Sequence, residues 1–242
     1  MRHWQGKRYW LVGASAGLGE ALAHRMSKAG AELVLTARSE DTLRTLADAL
    51  PGPAHVEPAD ITNEDALAAI ADRHDLDGVV HMAGVYWPFG AKAWDSAQAN
   101  LMADVNFGGA MRLMGVVVPR FMARDRGHIV LTGSLSGFRG LPNSAPYVSS
   151  KAAVMALAES LHADTHRTNV DVQLVNPGFV KTRLTSKNDF SMPFIMEPAE
   201  AAEHFFQAMN STRFKRSFPT AFSLVFRGSQ FLPDWLYYRL FA

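Results

Sequence analysis

Tyr147 and Lys151 stand four residues apart in APYVSSKAAV, at the start of a helical pattern, so both side chains leave one helix face. A phenol beside an ammonium has a definite chemical use. Donating a proton to a nascent alkoxide near neutrality requires tyrosine's pKa of about 10 to fall by roughly three units, or roughly 4 kcal/mol. A lysine charge about 4 Å away in partly screened surroundings supplies an effect of that order. A solvated surface pair is the plainer alternative. A second feature bears on the choice. GASAGLG places glycines at 13, 17 and 19 between the apolar run YWLV and an apolar helix. Glycines there allow a tight turn and let a phosphate approach backbone N–H groups at a positive helix end. The same turn also serves a purely structural end.

Elements able to position these residues alternate along the chain. Strands are expected at Tyr9–Val12, Glu32–Thr36, Ala54–Pro58, Gly78–Met82, His128–Thr132 and Val170–Val175. Helices are expected at Leu18–Ala29, Thr42–Leu50, Asp65–His74, Ala97–Arg120 and Val148–Arg167. The pattern predicts an α/β fold with a doubly wound parallel sheet and helices on both faces. No linker, repeat or low-complexity tract divides the 242 residues, so one domain is expected over 1–242.

Composition removes several functions. Net charge is +1 and no basic stripe interleaves with aromatics, which excludes a nucleic-acid partner. The chain has no cysteine, so disulfides, thiolate catalysis and cysteine–zinc sites are excluded. No metal spacing links the histidines, and no metal is expected. Glycines interrupt the first apolar run too early for a signal peptide, and no window of 18 apolar residues lacks charge. A cytoplasmic location is expected.

The motifs together resemble the short-chain dehydrogenase/reductase family, from about Arg8 to Thr182. The G-x-x-x-G-x-G turn, Asp60 in DIT, HMAG at 81–84, Asn106 in DVNFGG, Ser134 in VLTGS, Tyr147/Lys151 and NPGFVKT at 176–182 follow in the family's order. The resemblance implies a Rossmann-type fold and a nicotinamide dinucleotide held by Gly13, Ser15, Ala16, Gly17, Leu18, Gly19, Arg38, Ser39, Asp60, Ile61, Ala83, Gly84, Tyr147, Lys151, Pro177, Gly178, Val180 and Thr182. It implies that Tyr147 is the acid and base and that Lys151 lowers its pKa and holds the ribose. Ser134 then polarises the substrate oxygen, and Asn106 holds a water linking Lys151 to solvent. Their structural alternatives are a strand-end cap for Ser134 and a helix bend for Asn106.

Arg38 follows the second strand, where an acidic residue would favour NAD(H); its guanidinium suits the 2′-phosphate of NADP(H). His81 and Met82 replace the paired asparagines usual before Ala-Gly, which puts the hydrogen bonds of those amides in question. The family's common C-terminal strand ending in Asp-Gly-Gly is expected to be missing. Instead residues 218–242 hold 8 of the 25 aromatics and resemble a branch with aromatic tails. Packing within the protein is the preferred role for this tail, ahead of a subunit contact, a cleft wall or a membrane-surface anchor. Pro219 and Pro233 suit first helical positions, and Gly228 a stop between two short helices. A substrate loop at about 182–198 adds Phe190, Phe194 and Ile195 to a pocket shared with Tyr86, Trp87, Phe89 and Phe138, favouring a hydrophobic carbonyl compound or alcohol. A 3-oxoacyl-thioester reductase and a non-catalytic dinucleotide sensor are the alternatives. The two long helices imply a homodimer, with a tetramer as the further step.

Overall fold

Uninterrupted apolar runs form the centre of the sheet, because both of its faces are covered and neither side chain of an alternating pair can meet water. The structure, a computed structural model, describes residues 2–241. Seven parallel strands take the order β3-β2-β1-β4-β5-β6-β7. They are β1 (Arg8–Val12), β2 (Glu32–Thr36), β3 (Ala54–Val56), β4 (Gly78–His81), β5 (Gly127–Thr132), β6 (Val170–Pro177) and β7 (Lys215–Phe218). The chain winds outward from β1 to β3, returns to β4 and winds the other way. The direction reverses between β1 and β4, and a crevice opens at their carboxyl ends.

Alternation sorts the strand residues into two cores. Leu11, Leu33, Leu35 and Val80 face helices α1 (Gly17–Lys28), α2 (Glu40–Ala49) and α7 (Pro198–Met209). Trp10, Val34, Val79 and Ile129 face α3 (Glu64–Arg73), α5 (Gly109–Ala123) and α6 (Ala145–Thr165). A helix α4 (Ser96–Ala103) precedes α5, and a π-helical turn at Asp104–Gly108 joins the two. By length and composition alone, residues 96–123 are apolar enough to cross a membrane. Here Leu113, Val117 and Phe121 of that run pack in the second core.

The six expected strands and five expected helices are present with ends shifted by a few residues, and the single helix expected at Ala97–Arg120 is divided by the π turn. Two elements add to the expectation. Helix α7 packs Ala202, Phe205, Phe206 and Met209 into the first core against α1. Strand β7 fills the sheet edge where the aromatic tail was expected to replace a strand; the Asp-Gly-Gly sequence is missing, the strand is not. After it come α8 (Thr220–Ser229) and α9 (Asp234–Phe241). Pro219 precedes α8 rather than opening it, and Gly228 lies inside α8 rather than after it.

A polar line crosses the buried sheet. Tyr9 Oη lies 2.9 Å from His128 Nδ1, and His128 Nε2 lies 2.8 Å from Gln173 Oε1. Gln173 Nε2 then donates to the carbonyls of Ala208, Ser211 and Arg213, fastening the chain between α7 and β7. Burial pushes His128 down to about 3, so its imidazole is neutral and reliant on these partners. Gln173→Leu should lower the unfolding free energy by about 2–4 kcal/mol, because His128 and several carbonyls lose partners in a dry interior. Urea unfolding measures it, and a loss below about 0.5 kcal/mol, within the scatter of neutral surface changes, would remove the line from the stabilising interactions.

Candidate active site

The glycine turn leaves β1 at the crevice and enters α1 with Gly17 at φ +60°, a left-handed conformation suited to glycine. Ala16 holds the N-cap position in extended backbone and caps nothing with its side chain. The first N–H groups of α1 are therefore without a side-chain partner, at the positive end of the helix. Around this turn lies a cleft of about 1490 Å³. All eighteen residues expected to hold a dinucleotide line it, from Gly13 through Arg38 and Asp60 to Thr182, and Ser134 lines it too. Asn106 does not; it is buried.

At the end of the cleft beside β2, Arg38 is exposed and has no hydrogen-bond or ion-pair partner among the described residues. Ser39 has a structural task, since its hydroxyl accepts from the Thr42 amide at 3.4 Å and caps α2. Asp60 Oδ1 accepts from the Thr62 amide (2.9 Å) and hydroxyl (2.8 Å). Those bonds, with the Arg38 and Arg112 charges, hold its carboxyl below the usual range against a smaller cost of burial. These residues fit an adenosine and its phosphates: a carboxylate fixed as an acceptor, a free guanidinium, and unpartnered helix N–H groups.

At the other end, α6 carries Tyr147 and Lys151 on one face. Lys151 is 4% exposed and its Nζ donates to the Thr132 carbonyl at 3.1 Å, at the end of β5. Burial pushes its pKa down to about 8. Tyr147 is half-buried, with Tyr86 edge-on at 4.9 Å between ring centroids. Loss of water pushes the phenol up to about 12; the Ser134 hydroxyl opposes this and the neighbouring Tyr86 adds to it. The lowering expected from Lys151 is absent. Its Nζ is turned to Thr132 and lies 5.9 Å from the Tyr147 ring centroid, so desolvation decides the sign.

The π turn aims Asn106 out of its helix. Its Oδ1 accepts from the Val85 amide at 2.7 Å, and its Nδ2 donates to the Val85 carbonyl and Ser150 Oγ, both at 3.0 Å. Gly84 lies between this amide and the lysine: a Cβ there would come 3.4 Å from Asn106 Oδ1 and 3.8 Å from Lys151 Nζ. Ser134 begins a short 3₁₀ turn, Leu135–Phe138, and its Oγ sits 2.8 Å from Ser136 Oγ. Cap and cleft residue are thus one and the same. Ser150, which accepts from Asn106, was not expected in the site; a serine on the helix between Tyr147 and Lys151 offers no spacing signal of its own. His81 is fully buried with neither ring nitrogen bonded, and burial pushes its pKa to about 3. It does not replace the missing amide.

The substrate loop reaches across the mouth of the cleft. Asn188 Oδ1 accepts from Tyr86 Oη at 2.8 Å, and Lys187 Nζ donates to the Tyr86 carbonyl at 2.7 Å and lies over Trp87. Phe179 meets Phe190 and Phe222, so the loop and α8 form one aromatic wall.

Comparison with known proteins bears on the family and the fold. A family model described as short chain dehydrogenase matches residues 7–191. An uncharacterized oxidoreductase of Myxococcus xanthus is 36% identical over 235 residues, covering 94% of this chain and 93% of that protein. Two solved structures share the fold. One, a short chain dehydrogenase/reductase from Burkholderia phymatum in complex with NAD, has a TM-score of 0.86 at 23% identity and 94% coverage of each chain. The other, a short-chain dehydrogenase from Sphingobium yanoikuyae in complex with NADPH, has a TM-score of 0.82 at 24% identity, covering 92% of this chain and 91% of that one.

The buried lysine makes a prediction about stability. A lysine whose folded pKa lies below its unfolded value charges more readily when unfolded, so its cost is largest below pH 8 and fades as pH rises toward 10.5. From pH 7 to 9.5, below the range in which tyrosines ionise, the wild type should gain about 2 kcal/mol relative to Lys151→Met. Chemical unfolding of both proteins at each pH reads the difference, and a constant gap would mean that the ammonium is not desolvated.

Proposed function

The chain belongs to the short-chain dehydrogenase/reductase family, and from that premise we propose an NADP(H)-dependent oxidoreductase acting on a hydrophobic ketone, aldehyde or secondary alcohol. One observation carries the reading: Tyr147, Ser134 and Lys151 line the same cleft as the glycine turn and Asp60. Bound there, the dinucleotide would supply or accept hydride. The chain's own residues do the rest. The Ser134 hydroxyl donates to the substrate oxygen and Tyr147 gives its phenolic proton to that oxygen as it gains charge. Burial pushes the phenol up to about 12, so donation near neutrality would need the Lys151 charge turned toward it rather than toward the Thr132 carbonyl. Lys151 brings its charge beside the phenol and a donor for the ribose, and Asn106 holds the Val85 backbone behind it. Phe179, Phe190 and Phe222, in contact with one another beside the cleft, support an apolar substrate.

Arg38 supports NADP(H), since a free guanidinium after β2 suits a phosphate. The long helices support a homodimer: Leu101 and Met111 of the α4–α5 run are exposed. A 3-oxoacyl-thioester reductase gains nothing specific here, and a sensor would have no use for a shielded proton donor.

Tyr147→Phe should keep dinucleotide affinity within about twofold while turnover in NADPH oxidation falls at least about a hundredfold, the scale of general acid catalysis. Turnover near wild type would exclude Tyr147 as the acid. Arg38→Asp should cut the ratio of kcat/KM for NADPH over NADH at least about tenfold, since a partner becomes a repelling charge. An unchanged ratio would place recognition of the 2′-phosphate elsewhere.

A further inference from the structure

Helices α8 and α9 each have a clasped side and a bare side. Arg139, from the loop after the Leu135–Phe138 turn, donates to the carbonyls of Ser229 (2.5 Å) and Leu232 (2.8 Å) and to Asp234 (2.6 Å). Its guanidinium also lies 3.9 Å from the Tyr237 ring centroid, and Tyr237 Oη donates to the Gly140 carbonyl at 2.5 Å. Phe222 turns toward the substrate loop, 5.5 Å from Phe194, and Phe226 packs edge-on against Phe222 at 5.0 Å. The tail is therefore docked.

Its outer side is nonetheless apolar. Ala221, Leu224, Val225 and Gly228 follow helical spacing on the exposed face of α8. Phe231 is 88% exposed and Trp235 69%, with Tyr238 one turn beyond the tryptophan. Such a surface is unusual for a protein that meets only water.

Charge indicates what covers it. Residues 211–242 hold five of the 24 Lys/Arg residues and one of the 23 Asp/Glu, so the rest of the chain is slightly acidic. Lys215 pairs with Glu159 and Arg216 bonds Gln207. Arg213, Arg227 and Arg239 have no partner among the described residues, and the single acid, Asp234, is taken by Arg139. A second copy docked here across a two-fold axis would set unpaired cations against their own kind. An anionic surface with an apolar interior meets both demands, and Trp and Tyr at its edge occupy the depth they favour.

We propose that the outer side of α8 and α9 docks on the surface of an anionic lipid bilayer, with Leu224, Val225, Phe231 and Trp235 entering the headgroup boundary and Arg227 and Arg239 held by lipid phosphates. The docking does not depend on the reaction assigned to the cleft. The full chain is to be sedimented with vesicles of phosphatidylcholine, alone or mixed with phosphatidylglycerol. Binding is expected to the mixed vesicles, reversed by high salt, and weakened roughly thirtyfold in Arg227→Gln/Arg239→Gln. Phe231→Ser/Trp235→Ser should lose binding while its thermal unfolding stays that of the wild type. Failure of the wild type to sediment with anionic vesicles, or equal binding by both variants, overturns the proposal. So does a light-scattering mass of about twice 26.6 kDa that falls to one chain in Phe231→Ser/Trp235→Ser, which would give the face to a second copy.

Discussion

A single ammonium sealed beneath the cleft sets the terms for its surroundings. Lys151 carries three N–H donors, and the Thr132 carbonyl accepts one of them. A charge so placed is costly, and the fold accepts the cost at the point where β5 ends and α6 begins its second turn. The arrangement demands a strand end with a free carbonyl and a helix entering at a fixed angle. Each is met by an element whose other residues are ordinary core: Ile129 and Leu131 along β5, Val154 and Ala158 along α6. The rigid, dry sheet makes a buried ammonium possible and sets it in the wall of the cleft.

Strands such as YWLV and ELVLT were legible because burial on both faces removes alternation and leaves continuous apolar runs. KRSF was not, because an edge strand held by backbone bonds needs no apolar pattern, and its cations remain half-exposed. Helix α7 had its signal in the chain, with Ala201, Ala202, Phe205, Phe206 and Met209 at helical spacing, but no side-chain cap announces its start at Glu197. The site residues were legible by type and order, and the structure brings all but Asn106 to one surface. What residue types did not reveal was direction. Tyr147 and Lys151 share a helix face, yet one turns to the cleft and the other to a carbonyl, so burial rather than the lysine charge sets the direction of the phenol's shift in this geometry.

The aromatic tail separates two questions that composition merges. Eight aromatics in 25 residues were expected to pack inward, and Phe218 and Tyr237 do. Of the other six, Phe222 faces the substrate loop with Phe226 packed against it, Phe241 stacks on Tyr237, and Phe231, Trp235 and Tyr238 face outward. Because Arg139 leads directly from the Leu135–Phe138 turn, the substrate wall and the tail share one clasp.

The π turn at Asp104–Gly108 has a consequence for how this chain can change length. Such a turn holds one residue more than an α-helix closing the same span, and here that residue lets Asn106 reach Val85. Deleting one of the five would restore a regular α-helix over the same span, so Leu113, Val117 and Phe121 would keep their places against the sheet while Asn106 lost its reach to Val85. The helix can thus gain or lose this one residue in descent without turning its core seam, and what the residue decides is where the asparagine points.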